Sequence, residues 1–229
     1  MSKKYIIATI KEWNIENYKK HFNKSDLFHL ITDKKQLNKQ ELDKIGPEYI
    51  FFPHWSWIIP EEIWRNYNCV VFHMTDLPYG RGGTPLQNLI IRGFKKTKIS
   101  AIKVDGGIDT GDVYMKNELD LGGKASEIYK RASDIIFNEM IPFIISNNPA
   151  PRQQSGKIVS FERLKPSQSQ ITDDFDLDKI YDQIRMLDAE GYPQACIELE
   201  KIKVDFSNAD VKIINGKKIV TANVQIYEK

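Results

Sequence analysis

The 229-residue sequence predicts an α/β fold: a Rossmann-like, mostly parallel sheet with helices on both faces, followed by a small, mainly β C-terminal appendage. Three observations carry that prediction. Short β-rich runs alternate with helix-like segments through the first half of the chain. Two of those runs, "YIIATI" and "CVVF", are continuously apolar, as strands covered on both faces are. Past residue 150 the alternation gives way to β-type sequence that contains Asn215-Gly216, a strong hairpin turn.

Taken in order, "KYIIATI" precedes the helix-like "EWNIENYKKHF", and "DLFHLIT" precedes "KKQLNKQELDKI". "YIFF" is followed by "PEEIWRNY", and "CVVFHM" by "TPLQNLIIRGF". The extended runs "KISAIKVD" and "DVYMKNELDL" flank the glycine-rich "GGIDTG", which predicts an antiparallel connection. A long amphipathic helix comes next, with Ile128, Ala132, Ile135, Ile136 and Met140 at helical spacing and Pro142 predicting a kink or a last turn. "NNPAPRQQSG" reads as a linker, which sets the expected domains at 1–150 and 151–229. The appendage should hold a strand at "KIVSFERL", a short helix at "LDKIYDQIRML" and a β hairpin at the end.

Hydrophobic content of 41% with 28% charged residues fits a globular domain, and 33 basic against 31 acidic residues leave a formal charge of only +2. Balance of that kind carries no nucleic-acid footprint, so no nucleic-acid partner is expected. The apolar N-terminal run is too short for a signal peptide and no stretch is long enough to span a membrane, so a cytoplasmic location is expected. Cys69 and Cys196 read as buried thiols. His21, His29, His54 and His73 lack metal-ligand spacing, and no metal is expected.

His73 closes a predicted central strand, where open α/β sheets gather their reactive groups. An imidazole there suits proton transfer near neutral pH, although a histidine bonded to a backbone carbonyl is the ordinary alternative. The loop behind it, "DLPYGRGGTP", holds more glycine and charge than a simple turn requires. Asp109 and Asp112 lie in a second glycine-rich loop, where aspartates commonly cap their own backbone. "FFPHWSWIIPEE" is either an aromatic packing patch or an apolar wall for a flat heterocycle. Three loops thus leave three strand ends on one edge of the sheet.

The paired motifs "HMTDLPYGRGGTP" and "GGIDTGD" resemble those of the formyltransferases that take a formyl group from 10-formyltetrahydrofolate, with Thr75 where the family has serine. "FERLKPSQSQI" and "IYDQIRMLDAEGYPQACI" are similar to the family's post-catalytic region, so the likeness runs from about residue 50 to about residue 200. The resemblance implies catalysis by His73 and Asp109, the imidazole handling the proton while the carboxylate orients it. It places 10-formyltetrahydrofolate, as cosubstrate, against Pro53, His54, Trp55, Ser56, Trp57 and Ile58, and against Asp105, Gly106, Gly107 and Ile108. The expected acceptor is a nucleotide-linked amino-deoxy sugar, as in pseudaminic-acid or O-antigen pathways, with Met74, Thr75, Arg81, Gly82, Arg163 and Lys165 as its candidate contacts. A methionyl-tRNA formyltransferase-like enzyme, a formyltetrahydrofolate hydrolase and a non-catalytic binding module are the alternatives. The tRNA branch is disfavoured by the short chain and its near-neutral charge, and a homodimer through the C-terminal β segment is allowed for. One departure stands out: the family usually carries asparagine two residues before the histidine, and here that position is Val71. Its missing donor would have to come from backbone amides, from His73 itself or from a polar group of the "HWSW" loop.

Overall fold

The computed structural model describes residues 3–229. Along the chain run β1 (Lys4–Ala8), α1 (Glu12–His21), β2 (Phe28–Ile31), α2 (Lys39–Ile45), β3 (Pro47–Pro53), α3 (Glu61–Trp64), β4 (Cys69–His73) and β5 (Tyr79–Gly82). There follow α4 (Pro85–Ile91), β6 (Lys96–Lys103), β7 (Val113–Asp120), α5 (Ala125–Ile135), α6 (Ile141–Asn147) and β8 (Val159–Phe161). Helix α7 (Leu177–Leu187) and strands β9 (Ala195–Glu198), β10 (Ile202–Ile214) and β11 (Lys217–Glu228) complete the described elements. Two compact units emerge: the first takes the chain up to Gly82, Thr97–Leu119 and Tyr129–Ser160, and the second takes Gly83–Lys96, Asp120–Ile128 and Phe161–Lys229.

The first unit holds a sheet in the order β2-β1-β3-β4-β6-β7. Strand β1 pairs in parallel with β2 and β3, and β3 in parallel with β4, whereas β6 runs antiparallel to β4. The α/β, mostly parallel architecture read from the sequence is therefore present. Ile6, Ile7, Ile50, Phe51 and Val70 are wholly buried, and consecutive positions are buried because both faces of the sheet are covered. The long helical segment is not interrupted at Pro142. It passes through one π-type turn, Ile136–Met140, and resumes with Pro142 at the start of α6, where a missing N–H costs little.

In the second unit β9, β10 and β11 form an antiparallel sheet whose long hairpin turns at Asn215 and Gly216, both with positive φ as the Asn-Gly signal requires. Helix α7 buries Ile184, Met186 and Leu187, and Asp176 caps it by accepting from the Lys179 N–H. Arg185, nearly fully buried, is satisfied by Asp182 and by the Leu121 and Gly123 carbonyls at 2.7 and 2.9 Å. No helix among the described residues is long and apolar enough to cross a membrane.

Candidate active site

Strand β4 carries His73 at its C-terminal end, in register with Ser100 of β6 and one residue past the pairing of Phe72 with Pro53 of β3. Ser100 fixes the start of the following loop: its hydroxyl donates to the Thr75 carbonyl at 2.7 Å and accepts from the Leu77 N–H at 3.3 Å. Asp76 is clamped by Lys116 at 2.6 Å and Lys98 at 3.0 Å. Burial alone would raise its pKa, but the two ammonium groups outweigh it and hold the carboxyl below the ordinary carboxylate range. At the far side of the turn Val159 N–H donates to the Pro78 carbonyl, and Gly80 and Gly82 take positive φ.

This loop folds back over the histidine. His73 is only 9% exposed, and its Nε2 lies 2.7 Å from the Gly80 carbonyl oxygen, which can only accept, so Nε2 carries the hydrogen. Its Nδ1 lies 3.4 Å from Asp109 Oδ2, and the same oxygen accepts from the Gly82 N–H at 2.9 Å. One carboxylate oxygen thereby joins the histidine to the loop that follows it. Met74 and Thr75 are buried beneath the loop, and Thr75 Oγ1 donates to the Gly80 carbonyl at 3.4 Å.

Asp109 reaches this place through an unusual backbone. Its φ is 53°, a left-handed conformation that a non-glycine residue holds only when its surroundings impose it. Asp105 braces the same loop by accepting from the Gly107 N–H and the Thr110 hydroxyl. Gly111 has no room for a side chain, since a Cβ there would stand 1.7 Å from the Lys103 carbonyl oxygen. Gln154 completes the frame: its Nε2 donates to the Asp109 and Gly111 carbonyls, each at 2.8 Å, while its Oε1 accepts from Arg81 at 2.7 and 3.1 Å. Sequence reasoning missed Gln154, because a glutamine in a polar linker carries no local signal of such a role. The guanidinium of Arg81, an expected substrate contact, is bonded within this frame.

Helix α3, which follows the third loop after β3, approaches the second loop through Trp64, whose ring lies in van der Waals range of the position a Gly106 Cβ would take. Trp57, Ile58 and Ile108 are exposed on these two loops, Ile58 at 92% and Ile108 at 74%. His54 is consumed internally. Its Nδ1 accepts from Asn14 at 3.1 Å and from Trp13 at 3.4 Å, leaving Nε2–H against the Met74 sulfur at 3.2 Å. That neutral tautomer agrees with a pKa pushed down to about 4, first by burial and then by Lys11. Val71 sits two residues before His73 on the same face of β4, in register with Phe52 and packed on the core cluster. Arg163 and Lys165 belong to the second unit, just before the 3₁₀ turn Pro166–Ser169, and the Arg163 backbone closes against Gly83. Both cysteines are free and buried, and burial pushes the Cys69 thiol up to about 12. Among the described residues no group of three or more His, Cys, Asp or Glu could hold a metal ion.

Comparison with known proteins adds to this geometry. A family model described as formyl transferase matches residues 11–135, and one described as methionyl-tRNA formyltransferase, C-terminal domain, matches residues 166–227. The solved methionyl-tRNA formyltransferase from Clostridium thermocellum superposes with a TM-score of 0.95 at 57% identity, covering 100% of both chains. HypX from Aquifex aeolicus in complex with tetrahydrofolic acid shares the fold, with a TM-score of 0.73 at 15% identity over 93% of this chain and 40% of that one. A curated methionyl-tRNA formyltransferase from Rickettsia massiliae is 30% identical over 125 residues, 52% of this chain and 41% of the relative. The match thus spans less than half the length of that relative.

These similarities overturn two expectations. The nucleotide-sugar acceptor gives way to the tRNA alternative. The expectation of no nucleic-acid partner falls for the same reason. Physically, a net charge of +2 constrains the average over a surface and not the charge of any one patch. The short chain also carried less weight than assumed, since residues 166–227 themselves match the C-terminal domain of the tRNA enzymes.

Proposed function

The chain belongs to the formyl transferase family, and from that premise we propose that it transfers a formyl group from 10-formyltetrahydrofolate to the α-amine of a methionyl-tRNA. The observation that carries this reading is the 57% identity, over the whole of both chains, to the Clostridium thermocellum methionyl-tRNA formyltransferase.

The site suits the folate. Exposed Trp57, Ile58 and Ile108, on the loops after β3 and β6, offer apolar surface to a flat heterocycle. Bound there, the folate supplies the formyl carbon for an acyl transfer in which one C–N bond breaks as another forms and a proton passes from the acceptor amine to the leaving nitrogen.

His73 is the group placed to carry that proton. Released from the Gly80 carbonyl, Nε2–H gives its proton to the leaving nitrogen and the lone pair so freed takes one from the acceptor amine, while Asp109 stands beside Nδ1 and fixes the ring plane. The Gly82 N–H holds Asp109 Oδ2 in place, and Gln154 holds the Asp109 backbone. The enclosed position of His73 keeps bulk water from competing with the acceptor amine.

The purified chain, given 10-formyltetrahydrofolate, should formylate methionyl-tRNA with a far larger kcat/KM than it shows for methionine amide, because only the tRNA adds phosphate contacts. Equal kcat/KM for the two acceptors would contradict a tRNA substrate.

A further inference from the structure

Resting on the formyl-transfer reading, we infer that the Trp55 indole N–H donates a hydrogen bond to the formyl oxygen of the bound folate, in place of the side-chain donor that Val71 does not provide. As the acceptor amine bonds to the formyl carbon, that oxygen takes up the carbonyl electron pair and needs a donor aimed at it. Several groups near His73 are bonded within the protein, and His73 itself is occupied with the proton. Gly82 N–H is on Asp109, His73 Nε2 is on Gly80, and His54 turns its Nδ1 lone pair to Trp13 and Asn14 and its Nε2 to Met74.

Trp55 differs from all of these. Its Nε1 is buried and has no hydrogen-bond partner, and an indole nitrogen can only donate. A buried donor left unmet is costly, so a structure that keeps one calls for an explanation, and an acceptor brought by a ligand is one. The side chain also lies along the correct face. Trp55 packs edge-on to Phe52 at 5.8 Å, Phe52 is in register with Val71, and Val71 shares its face of β4 with His73. Trp57 also packs edge-on to Trp55 at 4.8 Å, and Trp55 and Val71 pack on one apolar cluster.

Nuclear magnetic resonance tests this without turnover or any acceptor, so its outcome stands apart from that of the tRNA reading. The full chain labelled with ¹⁵N at indole nitrogen has four tryptophan signals, and Trp55→Phe, or elimination through the other three variants if it does not fold, assigns one to Trp55. Titration with a hydrolysis-resistant 10-formyl folate analogue should move the Trp55 indole proton downfield, and the same analogue without the formyl group should not. Equal shifts with both compounds would assign the donor to the heterocycle, and no shift with either would make it structural; both results overturn the inference. In kinetics Trp55→Phe should lower kcat by about 100-fold, as loss of one such donor does, with KM for the folate little changed. Val71→Asn, which sets an amide beside His73, should restore much of that loss in the Trp55→Phe background. A rise in KM alone, or no rescue, contradicts the role.

Discussion

His73 and Asp109 show how much of a site rests on single atoms. Asp109 Oδ2 accepts from the Gly82 N–H and faces the imidazole, so Asp109→Asn leaves the shape nearly intact while removing the negative charge beside Nδ1. Formyl transfer in that variant should fall by about 100- to 10,000-fold, the range for a disabled acid–base partner, with thermal stability close to wild type. A stopped-flow rate within a few fold of wild type would remove Asp109 from the mechanism. His54 has a different task. Its native pKa of about 4 lies below the unfolded value of about 6.5, so the unfolded chain binds the proton first as pH drops. Stability conferred by neutral His54 is complete above about pH 6.5 and declines toward pH 4, at up to about 1.4 kcal/mol per pH unit. Denaturant unfolding across that window should show the decline in the wild type and a flatter profile in His54→Gln; parallel profiles would deny His54 this role.

At the scale of elements, the site is the meeting of three loops at the ends of β3, β4 and β6. The strands were legible in the sequence because residues buried on both faces write continuous apolar runs, as "YIIATI" and "CVVF" do. His73 and Asp109 stood out in the sequence through the paired motifs that resemble the formyltransferases, since an aspartate among glycines is by itself ordinarily a backbone cap. The fastening between the loops was not legible. Gln154 sits 45 residues from Asp109 and joins it only after the chain folds, and Lys98 and Lys116 clamp Asp76 from another strand pair. No periodicity or composition encodes such long-range partners. Gln154→Ala should leave two carbonyls and the Arg81 guanidinium short of a partner, costing about 1–3 kcal/mol. For a chain of this size that is a fall in Tm of roughly 2–4 °C per kcal/mol, read by calorimetry. The same variant should lose turnover beyond what its stability predicts, since Asp109 is released; unchanged Tm and rate would make Gln154 incidental.

For the whole molecule, the sequence carried the fold and the reaction class further than it carried the acceptor. The strands, the helices and the terminal hairpin follow from local patterns, whereas an acceptor is recognised by a surface assembled from distant residues. The formal charge of +2 concealed that distinction, and the likeness over residues 166–227 to the tRNA enzymes' C-terminal domain shifted the reading. The most direct measurement follows a labelled formyl group. Purified protein is incubated with 10-[¹³C]formyltetrahydrofolate and methionyl-tRNA, and the amino acid released from the tRNA is weighed by mass spectrometry. The account predicts ¹³C-formylmethionine in the wild type and a severe loss of product in His73→Ala. Unmodified methionine from the wild type, with the protein folded and the folate intact, would contradict it.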